Sequence, residues 1–345
     1  MDGLDAIILG HGLAGAALAW QLRHRGWRVL VADRDEAVTS SKVAAGLVVP
    51  ISGQRLARSW RVEEFLPVAR EFYRCTGGEC FHEIPCVRLL QNDDERRRWE
   101  ERRHDSAFQN FLTRPQPHPL VNEEHFHGPA DGFEMQSAWL DVPAWLRFSQ
   151  QQLHRDGAWL TADIAPAEVT PADDGVTVAG LRARHLIFCQ GHEAAQNPFF
   201  PWLRWKSAKG EILTLHAPAL PEHRIINRGG WLLPLGRDGL FRAGSTYAWD
   251  DFTATPTAAA RGIIESRLRA LLRVPFSITT HHVGIRPIIN ESKAVIGQHP
   301  VYRRLALFNG LGSKGVLHAP FFAAQLAALL VDGTPVEYEL DICRN

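Results

Sequence analysis

The stretch Ala6-Ile7-Ile8-Leu9-Gly10-His11-Gly12-Leu13-Ala14-Gly15, near the start of the chain, decides the fold. Its four leading apolar residues predict a short buried strand, and a GxGxxG pattern follows that strand directly. A helical stretch then runs from Ala16 to Arg25, and Gly26 ends it as a C-cap residue. The next apolar run, Trp27–Ala32, predicts a second strand that ends at Asp33. Strand, glycines, helix, strand and terminal acid in this order predict a βαβ unit that binds a dinucleotide.

Each glycine of this pattern has a physical role. Gly10 makes the tight turn, Gly12 lets a pyrophosphate approach the backbone, and Gly15 lets the helix and strand pack closely. The pyrophosphate would lie at the helix N-terminus, where free N–H groups and the helix dipole favour negative charge. We therefore expect Leu13 and Ala14 to belong to the phosphate site as well.

The acid at the end of the second strand bears on the choice of cofactor. Asp33 should bind the adenosine ribose hydroxyls, and its carboxylate would repel a 2′-phosphate, which disfavours NADP. The neighbouring Arg34 is expected to lie along the adenine. This unit alone leaves FAD and NAD open.

Two later segments favour FAD. Ser40–Pro50 combines small residues with Gly46, which suits a loop that passes flat against a ring system. Phe308–Val316 holds a glycine-rich turn with Lys314 in it, ahead of the last predicted helix, and such a turn can stabilise an anion. Reduced flavin carries negative charge near N1, and such a loop would stabilise that charge. A nicotinamide does not need such a loop.

Nucleotide-type elements occur at the start, in the middle and at the end of the chain. Helices are predicted at Val142–Gly157, with Asp141 as N-cap, and at about His318–Leu330. Residues 210–250 alternate strand-like runs with turns, as in an antiparallel sheet. The predicted fold is α/β, with a discontinuous Rossmann-type FAD-binding domain and an antiparallel-sheet substrate domain. The predicted FAD-binding domain comprises residues 1–74, 140–205 and 281–345, and the substrate domain comprises residues 75–139 and 206–280.

Composition and charge narrow the classes of protein. The 345 residues are 45% hydrophobic and 22% charged, as expected of a globular protein with about two domains. A formal net charge of zero gives no indication of a nucleic-acid or membrane partner. The five cysteines lack metal-site spacing, and their odd number favours a reducing compartment. The apolar stretch Val316–Val331 is too short and too interrupted to span a bilayer, and the N-terminus does not resemble a signal peptide. We expect a cytoplasmic protein without a metal site.

Over nearly its whole length the sequence resembles the D-amino-acid-oxidase-like family of FAD enzymes. Within it, the chain is most similar to glycine and sarcosine oxidases and to the FAD module of the tRNA enzyme that oxidises carboxymethylaminomethyl-uridine. The resemblance rests on the shared order of these segments: Gly10–Gly15 with Asp33, Ser40–Pro50, Trp139–Pro143, Gln190-Gly191, Lys209–Glu211, Trp231–Pro234, Gly244–Tyr247, Gly284–Pro287 with Gly297, and Gly312–Pro320.

The resemblance implies roles for individual residues. Arg286 would face the flavin and grip the substrate carboxylate, for which a planar and always charged guanidinium is suited. The alternative is a structural arginine paired with a buried acid. Trp231 stands where glycine oxidases usually carry Tyr, and it would reshape the pocket. Independently of the resemblance, Tyr247 and Trp249 are expected to wall the pocket, the alternative being two aromatic residues of the core. The remaining expected cofactor contacts are Lys42, Ala45, Gly46, Leu47 and Val48 in the flavin loop, Ile164 at the adenine, Gly191 near the phosphates, and Gly312, Ser313, Lys314, Gly315 and Val316 at the flavin pyrimidine edge.

The implied activity is oxidation of the C–N bond of a small amino acid or secondary amine, by hydride transfer to flavin N5 and hydrolysis of the imine. Members of the resembled family that bind flavin covalently use a cysteine near the C-terminal loop. This sequence has none there, so the resemblance implies non-covalent FAD. His281 and His282 are adjacent in a predicted strand, so at most one can face the pocket, and we expect neither to be catalytic.

Several points stay open at this stage. The electron acceptor is oxygen, a quinone or another protein. Alternative functions are a tRNA wobble-uridine side-chain oxidoreductase, an NAD-dependent dehydrogenase and a non-catalytic FAD-binding scaffold. Nucleic acid is not an expected partner, because the chain has no obvious basic arm, although the tRNA alternative keeps it open.

Overall fold

A computed structural model of the protein describes residues 3–236, 239–289 and 293–344. Its strands are Leu4–Leu9 (β1), Val29–Asp33 (β2), Leu47–Val48 (β3), Ile51–Ser52 (β4), Ala57–Arg58 (β5), Phe81–Glu83 (β6), Cys86–Leu89 (β7), Gly132–Met135 (β8), Ala138–Leu140 (β9), Trp159–Thr161 (β10), Val169–Ala172 (β11), Gly175–Val178 (β12), Leu181–Phe188 (β13), Ala208–His216 (β14), Ile225–Asn227 (β15), Trp231–Pro234 (β16), Leu240–Gly244 (β17), Ser277–Arg286 (β18), Val295–Gln298 (β19) and Leu305–Asn309 (β20). Its α-helices are Leu13–His24 (α1), Ser40–Val43 (α2), Val62–Cys75 (α3), Asp93–Arg102 (α4), Ser106–Gln109 (α5), Val142–Arg155 (α6), Ala258–Leu271 (α7) and Gly315–Asp332 (α8). Short 3-10 helices occupy Gly78–Cys80, Pro166–Glu168, Gly191–Gln196, Tyr338–Leu340 and Ile342–Arg344.

The first sheet is built on the predicted βαβ unit. Its strand order is β10-β2-β1-β13-β12-β11, and β20 joins it in parallel with β13. Leu9 lies beside Phe188, which in turn lies beside Leu307. The start, the middle and the end of the chain therefore share one sheet, as the Rossmann-type prediction requires.

The second sheet has seven strands in the order β18-β14-β17-β16-β15-β7-β8. Neighbouring strands are antiparallel except β15 and β7. Helix α7 covers one face, where Ile264 and Leu268 join a core cluster with Leu213 and Leu215 of β14. This arrangement confirms the predicted α/β fold class with an antiparallel second sheet.

The limits of these domains stay a proposal. Strand β18 pairs with β14 from Ser277 to Arg286, so the boundary predicted at residue 281 falls inside a continuous strand. Cutting there would separate paired residues of one sheet. We therefore propose that the substrate domain ends after Arg286. The boundaries predicted at residues 75 and 140 likewise fall inside single elements, α3 (Val62–Cys75) and β9 (Ala138–Leu140), so we propose to move them to the ends of these elements.

The start of one helix differs from the predicted residue, and the start of another agrees with it. Helix α1 begins at Leu13 instead of Ala16, because the glycine pattern itself enters the helix with Gly12 as N-cap. Helix α6 begins at Val142 as predicted, and Asp141 Oδ1 accepts a hydrogen bond from the Ala144 N–H.

Helix α8 starts three residues earlier than predicted and contains Pro320. Proline has no N–H, so the carbonyl oxygen of Val316, four residues before it, loses its partner within the helix. The buried Tyr73 hydroxyl donates a hydrogen bond of 3.0 Å to this oxygen and replaces the missing bond.

Helix α8 is also the one helix of the described ranges that is long and apolar enough to cross a membrane by length and composition. Of that apolar stretch, 61% is buried inside the protein, where α8 packs against α1 and α3. Its apolar character is therefore accounted for by its place in the core.

Candidate active site

A cavity of about 1340 Å³ is lined by residues of both large sheets. This volume exceeds the roughly 300–1,000 Å³ of ordinary small-molecule pockets. The cavity therefore has room for an extended cofactor together with a small substrate.

The predicted phosphate site lies at one end of this cavity. Gly10, Gly12, Leu13 and Ala14 all line it, at the N-terminus of α1, and Gly12 has no side chain to cap that helix. Gly15 does not line the cavity; a Cβ on it would overlap the Gly10 carbonyl oxygen, so it serves the close packing of helix and strand. An uncapped helix N-terminus of this kind suits a pyrophosphate.

His11 fastens this turn to its surroundings. Its backbone N–H donates to Asp33 Oδ2 at 2.6 Å, and its Nε2 lies 3.0 Å from Ser149 Oγ on α6. Burial lowers the pKa of His11 to about 4, so the ring is neutral at pH 7. The imidazole therefore adds no positive charge to the phosphate site.

The other predicted nucleotide contacts lie nearby. Asp33, Arg34, Lys42, Ile164 and Gly191 all line the cavity. Arg34 Nη2 lies 2.5 Å from Glu193 Oε1 and 3.3 Å from Glu36 Oε1, so acids hold the guanidinium that was expected to lie along the adenine.

The flavin loop requires one correction. Ala45, Gly46 and Leu47 line the cavity as predicted, but Val48 is 1% exposed and packs in the main core. Successive residues of a strand face opposite sides, and Leu47 already takes the cavity side of β3. Val48 is therefore removed from the predicted lining. Gly46 has a φ of 77° and a Cβ on it would overlap the Leu140 carbonyl, so only glycine fits there.

Lys314 lies at the turn that precedes α8, and Gly312, Ser313, Gly315 and Val316 line the cavity beside it. Its Nζ donates to Ser52 Oγ at 3.3 Å and to Ser59 Oγ at 3.1 Å. Burial lowers the pKa of Lys314, and none of the described residues offers it a carboxylate. A buried cation with neutral partners favours an anionic ligand.

Arg286 is the last residue of β18, and it lines the same cavity. Its Nη2 donates to Ser245 Oγ at 3.0 Å, its Nη1 donates to the Thr246 carbonyl at 3.2 Å, and its guanidinium carbon lies 4.0 Å from the centre of the Tyr247 ring. A Cβ on Gly210 would overlap the guanidinium, so this glycine makes the space for it. Within the described ranges no acid pairs with Arg286, unlike the structural alternative, and burial lowers its pKa.

Of the two predicted aromatic walls, Tyr247 lines the cavity and Trp249 does not, although the two rings stack with their centres 5.9 Å apart. Trp231 lines the cavity as well. Trp231 lies against Gly244, where a Cβ would overlap its ring, and Tyr247 is 49% exposed at the mouth. The two histidines stay outside the lining: His281 Nε2 lies 2.7 Å from Glu211 Oε2, and His282 hydrogen-bonds Thr280.

The sequence matches the profile of the family named FAD dependent oxidoreductase (DAO) over residues 5–329. The chain belongs to the DAO family of FAD-dependent oxidoreductases. This is the family that the sequence motifs were predicted to resemble. It comprises FAD-dependent oxidoreductases, so the alternatives of an NAD-dependent dehydrogenase and a non-catalytic scaffold are set aside.

Curated relatives of this DAO-family chain include the "tRNA 5-methylaminomethyl-2-thiouridine biosynthesis bifunctional protein MnmC" of Burkholderia mallei, which is 26% identical over 99% of this chain and 58% of the relative. The protein of the same name from Marinobacter nauticus is 25% identical over 94% of this chain and 55% of the relative. The chain thus spans little more than half the length of these curated relatives.

Solved structures with the same fold include glycine oxidase from Geobacillus kaustophilus, with a TM-score of 0.78, 18% identity and full coverage of both chains. Iminodiacetate oxidase from Chelativorans sp. BNC1 gives a TM-score of 0.77 at 18% identity, covering 97% of this chain and 98% of the other. L-α-glycerophosphate oxidase from Mycoplasma pneumoniae with FAD bound gives 0.79 at 15% identity, covering 96% and 95%.

The residues of the cavity fit the FAD of the DAO family on structural grounds. Gly10–Ala14 offer a phosphate site, Gly46 marks a backbone position without room for a side chain, and Lys314 is a buried cation without a described counter-ion. These features occur at the nucleotide and flavin regions that the motifs predicted.

Sequence reasoning assigned no role to several residues that shape this DAO-family site. Ser52 and Ser59 hold Lys314, and Gly210 makes room for Arg286. Ser245 accepts hydrogen bonds from two arginines: Arg286 donates to its hydroxyl oxygen and Arg267 donates to its carbonyl oxygen. Only Gly210 and Ser245 carried a signal, as members of motifs quoted for the family; Arg267 lies on an ordinary exposed turn of α7.

Proposed function

We propose that this DAO-family protein oxidises the C–N bond of a small amino acid or secondary amine that carries a carboxylate. The observation that carries the proposal is the Arg286 guanidinium, which is mostly buried, lines the cavity and has no described acid partner. The names of two structures with the same fold, glycine oxidase and iminodiacetate oxidase, indicate substrates of this class.

The chain's own residues would bind and orient the substrate. Arg286 holds the carboxylate with the N–H groups that it now directs at Ser245 and Thr246, which fixes the carbon next to nitrogen. FAD, when bound, supplies the acceptor for the hydride that leaves this carbon. The nitrogen gives its proton to solvent, and the resulting imine takes up water and splits into a carbonyl compound and an amine.

A pair of aromatic side chains and one lysine assist this chemistry. Trp231 and Tyr247 flank the substrate region and limit the access of water. Lys314, with the N-terminus of α8, stabilises negative charge at the flavin end of the cavity. The acids that line the described cavity all belong to the nucleotide region: Asp33, Asp35, Glu36, Asp163 and Glu193. Because none of them lies in the substrate region to pair with an ammonium group, the amine is bound in its neutral form.

The test replaces Arg286 by Gln and by Lys. Arg286→Gln should lower kcat/KM for a carboxylate-bearing amine by at least about 100-fold, because a buried charged hydrogen bond is lost. The kcat/KM of Arg286→Lys should lie between those of the wild type and Arg286→Gln, since a lysine keeps the charge but not the bidentate geometry. Bound FAD should be unchanged in both variants.

The measurement is anaerobic bleaching of the flavin by glycine, N-methylglycine, iminodiacetate and a set of D- and L-amino acids. Arg269→Gln serves as the matched control, because Arg269 is an exposed residue of α7 that pairs with Glu265. Wild-type bleaching rates in Arg286→Gln would refute the carboxylate anchor.

A second candidate is oxidation of a modified uridine side chain in tRNA, as the names of the curated relatives suggest. Three exposed aromatic side chains favour it: Tyr247 and Phe252 line the cavity, and Trp249 stacks on Tyr247. Each is between 44% and 50% exposed, and exposed rings can stack on bases. Replacing Tyr247 and Trp249 together by Ala should abolish turnover of a modified tRNA. It should leave N-methylglycine turnover measurable if the small-amine proposal is correct.

The proposal includes non-covalent FAD and a cytoplasmic location. Cys189 lines the cavity, but it lies against Gly10 and Gly15 at the phosphate end, and burial raises the pKa of its thiol. Acid precipitation should therefore release all the yellow colour into the supernatant; colour that stays with the protein would contradict non-covalent binding.

A further inference from the structure

The charges that line the cavity are segregated. The five lining acids form one connected group. Arg34 contacts Glu36, Asp163 and Glu193. Lys42 contacts Asp35 and also donates to the Glu36 carbonyl, and the Asp35 N–H donates to Asp33. The substrate region has no lining acid in the described ranges, but it holds two guanidiniums that no described acid pairs with, Arg286 and Arg267. Arg88 of β7 also lines the cavity, but it pairs with Glu95.

These two guanidiniums converge on one residue. Arg286 Nη2 donates to the side chain of Ser245 at 3.0 Å, and Arg267 Nη1 donates to the carbonyl of the same residue at 3.2 Å. Two groups bonded to one residue lie within about 10 Å of each other. A short molecule with an anionic group at each end can therefore contact both.

The two arginines differ in exposure. Arg286 is mostly buried and its place deep in the site suits the carboxylate next to the reacting carbon, whereas Arg267 is exposed at the rim, with its side chain laid over Gly230. No described acid pairs with Arg267. Its charge is thus available to a second anionic group of the ligand.

We infer that the substrate is an amine with two carboxylates, and that Arg267 binds the carboxylate farther from the reacting carbon. This inference rests on the proposed function, since Arg286 is taken as the anchor of the first carboxylate. Arg267 is then a residue that determines specificity between mono- and dicarboxylate amines.

The binding test uses two ethers that cannot undergo amine oxidation, diglycolate with two carboxylates and methoxyacetate with one. Dissociation constants are taken from the change in the visible flavin spectrum of the FAD-loaded protein. Arg267→Gln should weaken diglycolate binding by about fivefold, as expected for one solvent-exposed ion pair, and leave methoxyacetate binding unchanged. Arg267→Lys should restore most of the diglycolate affinity.

Arg261→Gln is the control, because Arg261 lies on the same helix and has the same charge but pairs with Glu265 and does not line the cavity. The turnover test compares iminodiacetate with N-methylglycine, which differ by one carboxylate. Arg267→Gln should raise the KM for iminodiacetate alone by a similar factor.

Equal changes for diglycolate and methoxyacetate, no change for either, or no binding of diglycolate to the wild type would each overturn the inference. The proposed function fails by a different result, namely that no carboxylate amine bleaches the flavin or that Arg286→Gln bleaches normally. The two failures are therefore distinguishable.

Discussion

Two side chains, Lys314 and Arg286, are cations held inside the protein with only neutral hydrogen-bond partners among the described residues. Transfer of an unpaired charge from water into a protein interior is unfavourable, and burial lowers the pKa of both groups. Such positions are typical of functional sites, where a ligand supplies the missing charge.

Lys314→Met should lower the two-electron midpoint potential of the bound FAD by tens of millivolts, because about 30 mV corresponds to 1.4 kcal/mol of lost stabilisation of the reduced state. The measurement is a dye-coupled reductive titration. Lys42→Met is the matched control, since Lys42 also lines the cavity but pairs with Asp35. An unchanged potential in Lys314→Met would show that the ammonium does not act on the flavin.

Sequence reasoning could reach residues whose proposed role is defined by a local motif, but it could not reach residues that folding brings in from distant elements. The glycine pattern, Asp33 and Lys314 could be placed at the cavity because local spacing defines their role. Ser59 and Arg267 could not, because they reach the site through contacts between distant elements. The error at Val48 was one of strand alternation, which depends on where a two-residue strand begins.

At the scale of elements, β14 uses two buried charges to hold the loop that follows β17. Lys209 is 1% exposed, and its Nζ donates to Asp251 at 2.6 Å and to the Thr255 carbonyl at 2.7 Å. Glu211 is 3% exposed and accepts hydrogen bonds from both the N–H and the hydroxyl of Thr257. The loop thus anchored carries Tyr247 and Phe252 at the cavity mouth.

Asp251→Asn should loosen this loop and raise KM several-fold with little change in kcat, because the mouth would be less well ordered while the deeper site stays intact. Limited proteolysis should show new cleavage between residues 245 and 256. The neighbouring Asp250→Asn is the control, as Asp250 is exposed and has no part in the Lys209 network. Equal behaviour of the two variants would argue against the anchoring role.

For the whole molecule, histidines enclosed in the interior contribute to the response to mild acid. Burial lowers the pKa of His11 and His185 to about 4 and that of His318 to about 3. Their folded pKa values lie below the unfolded value, so the unfolded chain binds more protons and stability falls as the pH drops from about 6.5 towards 4. Each such histidine contributes at most about 2 kcal/mol between pH 7.5 and 5.

His318→Leu should reduce this pH dependence without weakening the protein at pH 7.5. The Nε2 of His318 has no described hydrogen-bond partner, and the ring packs among Trp60, Phe65 and Phe322. Urea unfolding at pH 7.5, 6.5, 5.5 and 5.0 measures the slope, with the exposed His104→Gln as control. An unchanged slope in His318→Leu would mean that folding does not lower the pKa of this ring.

The overall architecture could be predicted because each nucleotide-type segment carries a local signature, and their order along the chain matches one fold. The strand order of the second sheet could not, since the parallel pairing of β15 with β7 joins segments more than a hundred residues apart without any sequence signal. Pairings of that kind depend on packing, which sequence periodicity does not report.

The placement of β20 and α8 beside β13 and α1 has a consequence for biosynthesis. While a ribosome is still translating the codons for residues 305–332, the nascent polypeptide has its phosphate turn but lacks Lys314 and the strand next to β13. The nascent chain should therefore bind FAD only after this region has emerged from the ribosome. Ribosome-stalled chains that end before Leu305 should carry no bound FAD.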